Sequence, residues 1–277
     1  MANPHILMCP PDYYGIEYEI NPWMSRARQA DHQQAVRQWS DLKELFQSLG
    51  AKTSLLTPVA GLPDLVFTAN AALIFRRRAI LSRFLHPQRQ GEEPHNARWL
   101  EEHGFDVERL DEAMYFEGAG DALFCGDTLF AGYRKRSDVR AHQQVARRID
   151  CRVIPLELVD PYYYHLDTCF CPLSDDTAIA HLPAFDEYGQ RALAEHLPHL
   201  IPVDADEARS FACNAVVIGT TVVLNSGCPK LESSLRKSGY ATRSTPLSEF
   251  VKAGGSAKCL TLRLDGEEAA GWKRHRG

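Results

Sequence analysis

The sequence has no apolar run approaching the ~20 residues that a membrane-spanning helix needs, and it has no surplus of basic residues. Its 31 lysines and arginines are outnumbered by 36 aspartates and glutamates, which gives a formal net charge of −5. We therefore expect no membrane association and no binding to nucleic acid, which requires a basic surface. The first residues, Met-Ala-Asn-Pro-His, also lack a basic segment followed by an apolar one. This pattern predicts a cytoplasmic location.

Cysteines at a spacing typical of metal sites are also lacking, although the chain contains eight cysteines. Cys169 and Cys171 form a C-x-C pair, but no second pair at zinc-finger spacing accompanies them. Most cysteines lie in apolar, strand-like segments, and the chain is long for a disulfide-stapled secreted domain. We predict free thiols, no metal and no other cofactor.

What the sequence does contain is a fivefold repeat. Five segments begin with a polar residue and continue into stretches rich in Val, Ile, Leu, Phe and Thr, with Gly, Asp or Ser at the turns. The polar first residues, called head residues below, are Asn70, Asp121, Asp167, Asn214 and Cys259, at intervals of 51, 46, 47 and 45 residues. The first four segments read as β-hairpins, and the fifth stops after one strand.

Between the hairpins the pattern changes to a helix followed by one short strand. The predicted helices cover 31–49, 92–104, 137–150, 185–198 and 229–239. The predicted strands are Lys52–Leu56, Val107–Leu110, Arg152–Leu156, Leu200–Val203 and Ala241–Ser244. The first helix and the first strand precede the first hairpin, so the N-terminal part is expected to complete the fifth module.

A hairpin-helix-strand module of this size cannot bury its apolar face alone, so five copies favour an α/β ring that resembles a five-bladed propeller. An open α/β sheet is the alternative, although it needs longer crossovers and fewer hairpins. No linker-like segment separates the modules, and residues 1–277 are expected to form a single domain. If the modules surround one axis, the five head residues meet at one end of it and line a central pocket.

Three segments carry residues suited to catalysis. They are FEGAGD (116–121), HLD (165–167) and GGSAKC (254–259). Each alone has an ordinary explanation, because buried cysteines, structural histidines and glycine turns are common. Together Cys259 offers a nucleophile on a glycine-rich loop, His165 a general acid and base, and Glu117 a carboxylate suited to a cation.

With FTAN (67–70), these phrases resemble the amidinotransferase and dimethylarginine-hydrolase superfamily, in the same order and at the same spacing. The resemblance extends from Asn21 to Leu264, essentially the whole chain. It implies a five-bladed α/β propeller, or pentein, fold. It also implies a cysteine-dependent hydrolase that acts on the C–N bonds of a guanidino group in a small molecule. Assembly into a homo-oligomer is left open.

The resemblance further implies roles for individual residues. Cys259 resembles the nucleophile that attacks the guanidinium carbon. His165 resembles the acid that protonates departing ammonia and then activates water, and Glu117 resembles the carboxylate that pairs with it. The substrate-binding residues implied are Asn21, Asn70, Asp121, Asp167, Arg83 and Arg134. Of these, Arg83 and Arg134 resemble the residues that grip the substrate carboxylate, and a solvated surface charge is the alternative for Arg83.

One position departs from the pattern of arginine deiminases and dimethylarginine hydrolases, which have Asp where this sequence has Asn70. An amide offers both a donor and an acceptor, so it can hold a neutral ureido group for a second attack. FTAN and FEGAGD also resemble the arginine dihydrolases, which convert L-arginine to ornithine, carbon dioxide and two ammonia, and this is the activity that we expect. The alternatives are a one-step hydrolase releasing citrulline, an amidinotransferase, or a non-catalytic ribosome-binding module of the same fold.

Overall fold

The computed structural model describes residues 4–111 and 113–266. Within these ranges the strands are β1 (His5–Met8), β2 (Lys52–Leu55), β3 (Ala72–Phe75), β4 (Arg78–Leu81), β5 (Asp106–Glu108), β6 (Ala122–Cys125), β7 (Thr128–Tyr133), β8 (Arg152–Glu157), β9 (Phe170–Pro172), β10 (Thr177–Ala180), β11 (His199–Pro202), β12 (Val216–Ile218), β13 (Thr221–Asn225), β14 (Ala241–Thr245) and β15 (Leu262–Arg263). The α-helices are α1 (His32–Ser48), α2 (Pro87–Gln90), α3 (Glu93–Glu102), α4 (Gly118–Asp121), α5 (Val139–Ile149), α6 (Glu187–His196), α7 (Ala205–Arg209), α8 (Pro229–Lys237) and α9 (Ser248–Val251). None of the helices in the described ranges is long and apolar enough to cross a membrane.

The strands form five three-stranded sheets that share one plan. In each sheet the strand that follows the head residue pairs antiparallel with a middle strand, and the middle strand pairs in parallel with a third. The sheets are β3-β4-β5, β6-β7-β8, β9-β10-β11, β12-β13-β14 and β15-β1-β2. Parallel neighbours need a crossover connection, and α3, α5, α6, α8 and α1 respectively provide it.

Aspartates fix where several of these crossover helices begin. Asp31, Asp138 and Asp186 each precede a helix, and their carboxylates accept hydrogen bonds from backbone N–H groups of the first turn. Such N–H groups have no partner within the helix, so an aspartate at this position stabilises the helix by about 1 kcal/mol. The apolar face of α1, with Trp39, Phe46 and Leu42 buried, then packs into the core beside its sheet.

The head residues connect the five modules into a closed cycle. The hydrogen bonds run from Asn70 Nδ2 to Glu117 O (3.3 Å), Leu166 N to Asp121 Oδ1 (3.1 Å), Asn214 Nδ2 to Asp167 O (3.0 Å), Cys259 N to Asn214 Oδ1 (3.1 Å) and Ala69 N to Cys259 O (3.1 Å). Each head residue therefore contacts a neighbouring module, and the fifth module returns to the first. All five head residues are buried.

The predicted ring of hairpin-helix-strand modules is confirmed, and the open-sheet alternative is wrong because the strands are divided among five sheets. The predicted helices and third strands agree with the structure to within a few residues. The fifth module is completed by the N-terminal part, as expected. Its strand β1 was not predicted, and β15 is shorter than the apolar segment that follows Cys259 suggested.

Candidate active site

Cys259 lies at the end of a loop that passes unusually close to other parts of the chain. Gly254 has a φ of +86°, in the left-handed region, and a Cβ at this position would lie 2.8 Å from the Tyr164 hydroxyl oxygen. A Cβ at Gly255 would overlap the ring of Phe67. Both positions therefore need glycine if the loop is to keep this course toward Cys259.

The sulfur of Cys259 is buried and contacts two side chains. Asn214 Nδ2 donates a hydrogen bond to Sγ over 3.1 Å, and Sγ lies 3.4 Å from Asp167 Oδ2. Burial, and after it the negative charge of Asp167, raises the pKa of the Cys259 thiol well above its usual value. Without a substrate the group is therefore a neutral thiol at neutral pH, and a cation beside it would favour the reactive thiolate.

His165 and Glu117 form a buried pair in which Nε2 and Oε2 are 2.6 Å apart. Burial lowers the pKa of His165 to about 4, even though the contact with Glu117 acts in the opposite direction. Burial alone would raise the pKa of Glu117, but Arg136 and the hydrogen bond with His165 outweigh it and hold this pKa well below its usual range. The pair at neutral pH is therefore a neutral imidazole beside a carboxylate. Because a carboxylate only accepts, Nε2 carries the ring proton and Nδ1 is left as a base.

Arg136 connects this pair to the loop that carries Cys259. Its Nη1 donates to Glu117 Oε2 over 3.2 Å, and its Nη2 donates to the carbonyl of Ile20 over 2.9 Å. The guanidinium also lies 4.6 Å from the ring centroid of Tyr164, whose hydroxyl donates to the carbonyl of Gly254 over 2.6 Å. One buried arginine thus contacts the acid–base pair and an aromatic ring that supports the nucleophile loop.

A small cavity lies against Cys259. Its polar lining consists of two amides, two cations, one carboxylate, one phenol and the thiol: Asn21, Asn70, Arg89, Arg136, Asp64, Tyr164 and Cys259. Its apolar lining includes Met24 and Phe67. The cavity therefore offers groups of both charge signs a short distance from a nucleophile, which suits a zwitterionic amino acid with a polar side chain.

Both predicted asparagines, Asn70 and Asn21, line this cavity. Asn70 Oδ1 accepts from Arg89 Nη1 over 2.9 Å, and its Nδ2 donates to the carbonyl of Glu117. Asn21 Nδ2 donates to the carbonyl of Ala253 over 3.1 Å, so it touches the loop that leads to Cys259. Asn70 therefore sits between a buried cation and the backbone of the acid–base pair.

The two predicted aspartates occupy different environments. Asp167 contacts the sulfur directly, as described above. Asp121 is fully buried, and its two oxygens accept from the Ser137 hydroxyl (2.5 Å) and from Leu166 N (3.1 Å). The Ser137 oxygen in turn accepts from Glu117 N over 3.0 Å. Asp121 thus holds the backbone next to both members of the Glu117–His165 pair, and this arrangement does not point to a contact with substrate.

The two predicted arginines are not among the residues that line the cavity. Arg134 has a side chain 54% exposed and forms an ion pair with Glu157 at 2.5 Å. Arg134 therefore lies at the surface and not at the cavity, and its expected contact with a substrate carboxylate stays a prediction. Arg83 is half-buried, with its guanidinium 5.8 Å from the ring centroid of Tyr115.

The buried cations of the cavity, Arg89 and Arg136, were missed from the sequence. Arg136 follows Arg134 by two residues in the loop between β7 and α5, and Arg134 has a φ of +88° in this loop. Arg89 forms a bidentate pair with Glu92, with both distances 2.8 Å. In the sequence, an Arg and a Glu three residues apart resemble an ordinary exposed helix pair. Asp64 was also missed. Its position in the apolar segment just before FTAN could have indicated that its carboxylate is buried near the site.

Five such modules around a buried thiol, imidazole and carboxylate define the pentein class of guanidino-group-modifying proteins. Residues 16–264 match the family model described as "N,N dimethylarginine dimethylhydrolase, eukaryotic", and the chain belongs to this family.

Two relatives and one solved structure are similar to the chain over most of its length. The bifunctional arginine dihydrolase/ornithine cyclodeaminase ArgZ of Synechocystis sp. (strain ATCC 27184 / PCC 6803 / Kazusa) is 46% identical over 264 residues, which are 94% of this chain but 37% of ArgZ. The N(G),N(G)-dimethylarginine dimethylaminohydrolase of Mycobacterium tuberculosis (strain ATCC 25618 / H37Rv) is 38% identical over 93% of this chain and 84% of its own length. The crystal structure of the N-terminal domain of a cyanobacterial ArgZ variant, bound to substrate, superposes with a TM-score of 0.93 at 44% identity, covering 95% of this chain and 99% of that domain. The chain thus corresponds to one domain of ArgZ.

Proposed function

We propose that this protein is an arginine dihydrolase, which converts L-arginine to ornithine, carbon dioxide and two ammonia through covalent intermediates on Cys259. The observation that carries the proposal is Asn70, an amide rather than a carboxylate, on the wall of the cavity that contains Cys259. The similarity to the arginine dihydrolase domain of ArgZ supports it. We further propose that the chain acts as a single catalytic domain in the cytoplasm.

The ends of arginine match the groups of the cavity. Arg89 and Arg136 suit the α-carboxylate through their positive charge, and Arg136, whose terminal nitrogens make one bond each to Glu117 and Ile20, also has N–H groups left to donate. Asp64, which is buried and lies 3.9 Å from Arg89 Nε, suits the α-ammonium group. The substrate guanidinium would then lie near Cys259, with Asp167 as its counter-charge. This assignment gives the carboxylate-binding role to Arg89 and Arg136 instead of Arg83 and Arg134.

In the first hydrolysis the sulfur of Cys259 attacks the guanidinium carbon, and His165 takes up the thiol proton. The C–N bond to a terminal nitrogen breaks, His165 returns the proton to that nitrogen, and ammonia leaves a thiouronium on Cys259. Water then attacks the same carbon and gives a proton to His165. When the C–S bond breaks, its electron pair returns to sulfur and citrulline is formed.

In the second hydrolysis the sulfur attacks the ureido carbon of citrulline, and the terminal nitrogen takes the thiol proton from His165 and leaves as a second ammonia. A thiocarbamate remains on Cys259. Water attacks its carbon, the C–S bond breaks with the electron pair returning to sulfur, and the carbamate that is released loses carbon dioxide to give ornithine. The ureido group is neutral and has a carbonyl oxygen, so it needs a hydrogen-bond donor where the guanidinium needed acceptors. The amide of Asn70 can serve both states, because it has a donor end and an acceptor end.

A one-step hydrolase that releases citrulline is the second candidate. It is favoured by the family model, which describes dimethylarginine hydrolases, and by the relative from M. tuberculosis. The two candidates differ in the fate of citrulline and in the number of ammonia molecules released for each substrate.

The test is to incubate the protein separately with L-arginine and with asymmetric dimethylarginine, and to quantify citrulline, ornithine and ammonia over time. We expect ornithine and two ammonia per arginine, with no turnover by Cys259→Ser. His165→Ala should lose at least the ~10²–10⁴-fold typical of a missing general acid–base group. Accumulation of citrulline alone, or turnover of dimethylarginine in preference to arginine, would establish the one-step activity instead.

A further inference from the structure

Asn214, the head residue of the fourth module, holds Cys259 at two points. Its Nδ2 lies 3.1 Å from Sγ, and its Oδ1 accepts from the backbone N–H of the same cysteine over 3.1 Å. The Nδ2 group also donates to the carbonyl of Asp167 over 3.0 Å. Asn214 has no exposed surface. The repeat places Asn214 among the head residues, but the proposed mechanism gives it no step.

The contacts of Asn214 fix which end of its amide faces the sulfur. The backbone N–H of Cys259 can only donate, so it requires the amide oxygen. The carbonyl of Asp167 can only accept, so it requires the amide nitrogen. The two requirements agree, and they leave the second Nδ2 hydrogen directed at Sγ. The sulfur therefore receives a donor whose orientation is set before any substrate binds.

The backbone N–H of Ser256 also donates to the sulfur, but the remaining surroundings disfavour a thiolate, so the side-chain donor of Asn214 adds to a single backbone one. The titratable neighbours Asp167 and Tyr164 are acidic groups that repel negative charge on sulfur once ionised, and burial removes the stabilisation by water. The charged groups farther along the cavity, Arg89, Arg136 and Asp64, already have partners or a place at the amino-acid end of the substrate. A cation at position 214 would repel the substrate guanidinium, whereas a neutral amide does not.

We propose that Asn214 is a catalytic residue whose side-chain N–H stabilises the sulfur of Cys259 while it carries negative charge. This applies at the start of each attack and again when the C–S bond breaks and the electron pair returns to sulfur. The inference deepens the proposed function and rests on it for the reaction steps. The contact with Cys259 itself does not depend on which guanidino substrate is used.

The test measures the pH dependence of Cys259 alkylation by iodoacetamide, followed on the Cys259 peptide by mass spectrometry, in the absence of arginine. Asn214→Ala removes both contacts, whereas Asn214→Asp keeps an acceptor for the Cys259 N–H but has no amide donor. We expect the pH midpoint of alkylation to rise by about one to two units in Asn214→Ala, because hydrogen bonds to charged groups have that effect. The midpoint should rise further in Asn214→Asp, because its carboxylate adds a second negative charge beside the sulfur. The rate at high pH should stay close to that of the unchanged protein.

Asn225→Ala is the matched control. Asn225 lies in the same hairpin and also makes two bonds to backbone, to Ser210 O and from Leu247 N, both over 2.9 Å. Its loss should reduce stability without moving the midpoint. A second measurement determines the midpoint of the acid limb of the pH profile of kcat/KM for arginine. It is used for any variant in which iodoacetamide does not reach the Cys259 thiol.

The outcomes separate this inference from the proposed function. An unchanged midpoint in both Asn214 variants, or a rate loss at all pH values that Asn214→Asp restores, would show that Asn214 only positions the loop. If the midpoints rise but the unchanged protein makes only citrulline, the role of Asn214 stands and the dihydrolase proposal fails. If ornithine is formed and the midpoints do not move, the dihydrolase proposal stands and the role of Asn214 fails.

Discussion

At the scale of single residues, the chemistry of the site depends on which groups are charged before the substrate arrives. The thiol of Cys259 and the imidazole of His165 are both neutral at neutral pH, because burial shifts their pKa values in the directions that disfavour charge. Glu117 is ionised, and Arg136 compensates it. A bound guanidinium would thus bring a positive charge that stabilises the thiolate and allows the proton to pass from sulfur to imidazole. The substrate therefore helps to activate the nucleophile.

Asn70→Asp is predicted to consume arginine to some extent but to stop at citrulline. The carboxylate would still accept from Arg89, but it would lose the donor to the Glu117 carbonyl and would face the ureido oxygen with negative charge. A carboxylate that faces two acceptor oxygens in a buried site, with no donor between them, costs several kcal/mol. The measurement is the ornithine-to-citrulline ratio from arginine. Ornithine formation at an unchanged rate in the variant would refute this account of Asn70.

Arg136→Ala and Arg134→Ala form a matched pair that tests the revised carboxylate site. The two side chains are two positions apart, but that of Arg136 is 3% exposed and that of Arg134 is 54% exposed. Arg136→Ala should lower the rate of arginine loss by roughly 100-fold, the effect of a misplaced substrate or acid–base pair. It should also destabilise the fold by about 3 kcal/mol, since Glu117 remains buried without its cation.

Arg134→Ala should change little, because an exposed ion pair contributes at most about 1 kcal/mol. Initial rates and urea unfolding give both numbers, and equal effects of the two substitutions would count against the revision.

At the scale of elements, the nucleophile loop depends on a course that only glycine permits. Gly254 and Gly219 both have positive φ values, +86° and +60°, but a Cβ on Gly219 would meet nothing within 4 Å. Gly254 is close to Tyr164 and Asn21, whereas Gly219 lies in the turn between β12 and β13.

Gly254→Ala should therefore cost more stability than Gly219→Ala, and it alone should also lower activity. Each places an alanine in the left-handed region, at a cost of about 1–2 kcal/mol in the free energy of unfolding. Only Gly254→Ala should shift the loop and lower kcat for arginine. Unfolding curves and kcat are measured on both variants. Full kcat in a destabilised Gly254→Ala variant would mean that the loop has more room than the structure shows.

The elements also show what sequence patterns can and cannot provide. Helix starts such as those at Asp31 and Asp138 were predictable because an N-cap acts locally. Strand β1 was not, since its four residues, His5–Met8, gain their pairing from partners near residues 52 and 262. Which of Arg134 and Arg136 is buried depends on the course of the loop between β7 and α5, which includes a positive φ at Arg134, and such conformations leave little trace in sequence. The head residues Asp167 and Cys259 were expected to meet because their spacing followed the repeat, and they do.

At the scale of the whole molecule, buried histidines make stability depend on pH. His142 is buried, with Nε2 3.2 Å from the carbonyl of Gly132, and burial lowers its pKa to about 4. A histidine in the unfolded chain titrates near 6.5, so between these values the unfolded state binds the additional proton. The contribution of His142 to stability is therefore present at pH 7 and is lost as pH falls from 6.5 toward 4.

His142→Gln should weaken this dependence on pH. From pH 7 to pH 5 the free energy of unfolding should fall by about 2 kcal/mol less in the variant than in the unchanged protein, by linkage. Urea unfolding at the two pH values measures the difference. His142 does not contact the cavity residues described above, so the activity at pH 7.5 serves as the check that the site is intact. An identical pH dependence in both proteins would show that other groups dominate.

The pairing of β1 with β15 brings together residues that are separated by almost the entire chain, Ile6 with Arg263 and Leu7 with Leu262. During synthesis on the ribosome, the first strand must therefore wait for the last one before its sheet can form. A nascent chain that ends before residue 259 has four of the head residues but lacks the sulfur. It also lacks the two hydrogen bonds that the backbone of Cys259 makes with Ala69 and Asn214 to close the ring. The ring therefore closes only when the segment that carries the nucleophile has been synthesised. We expect an incomplete chain to have no activity.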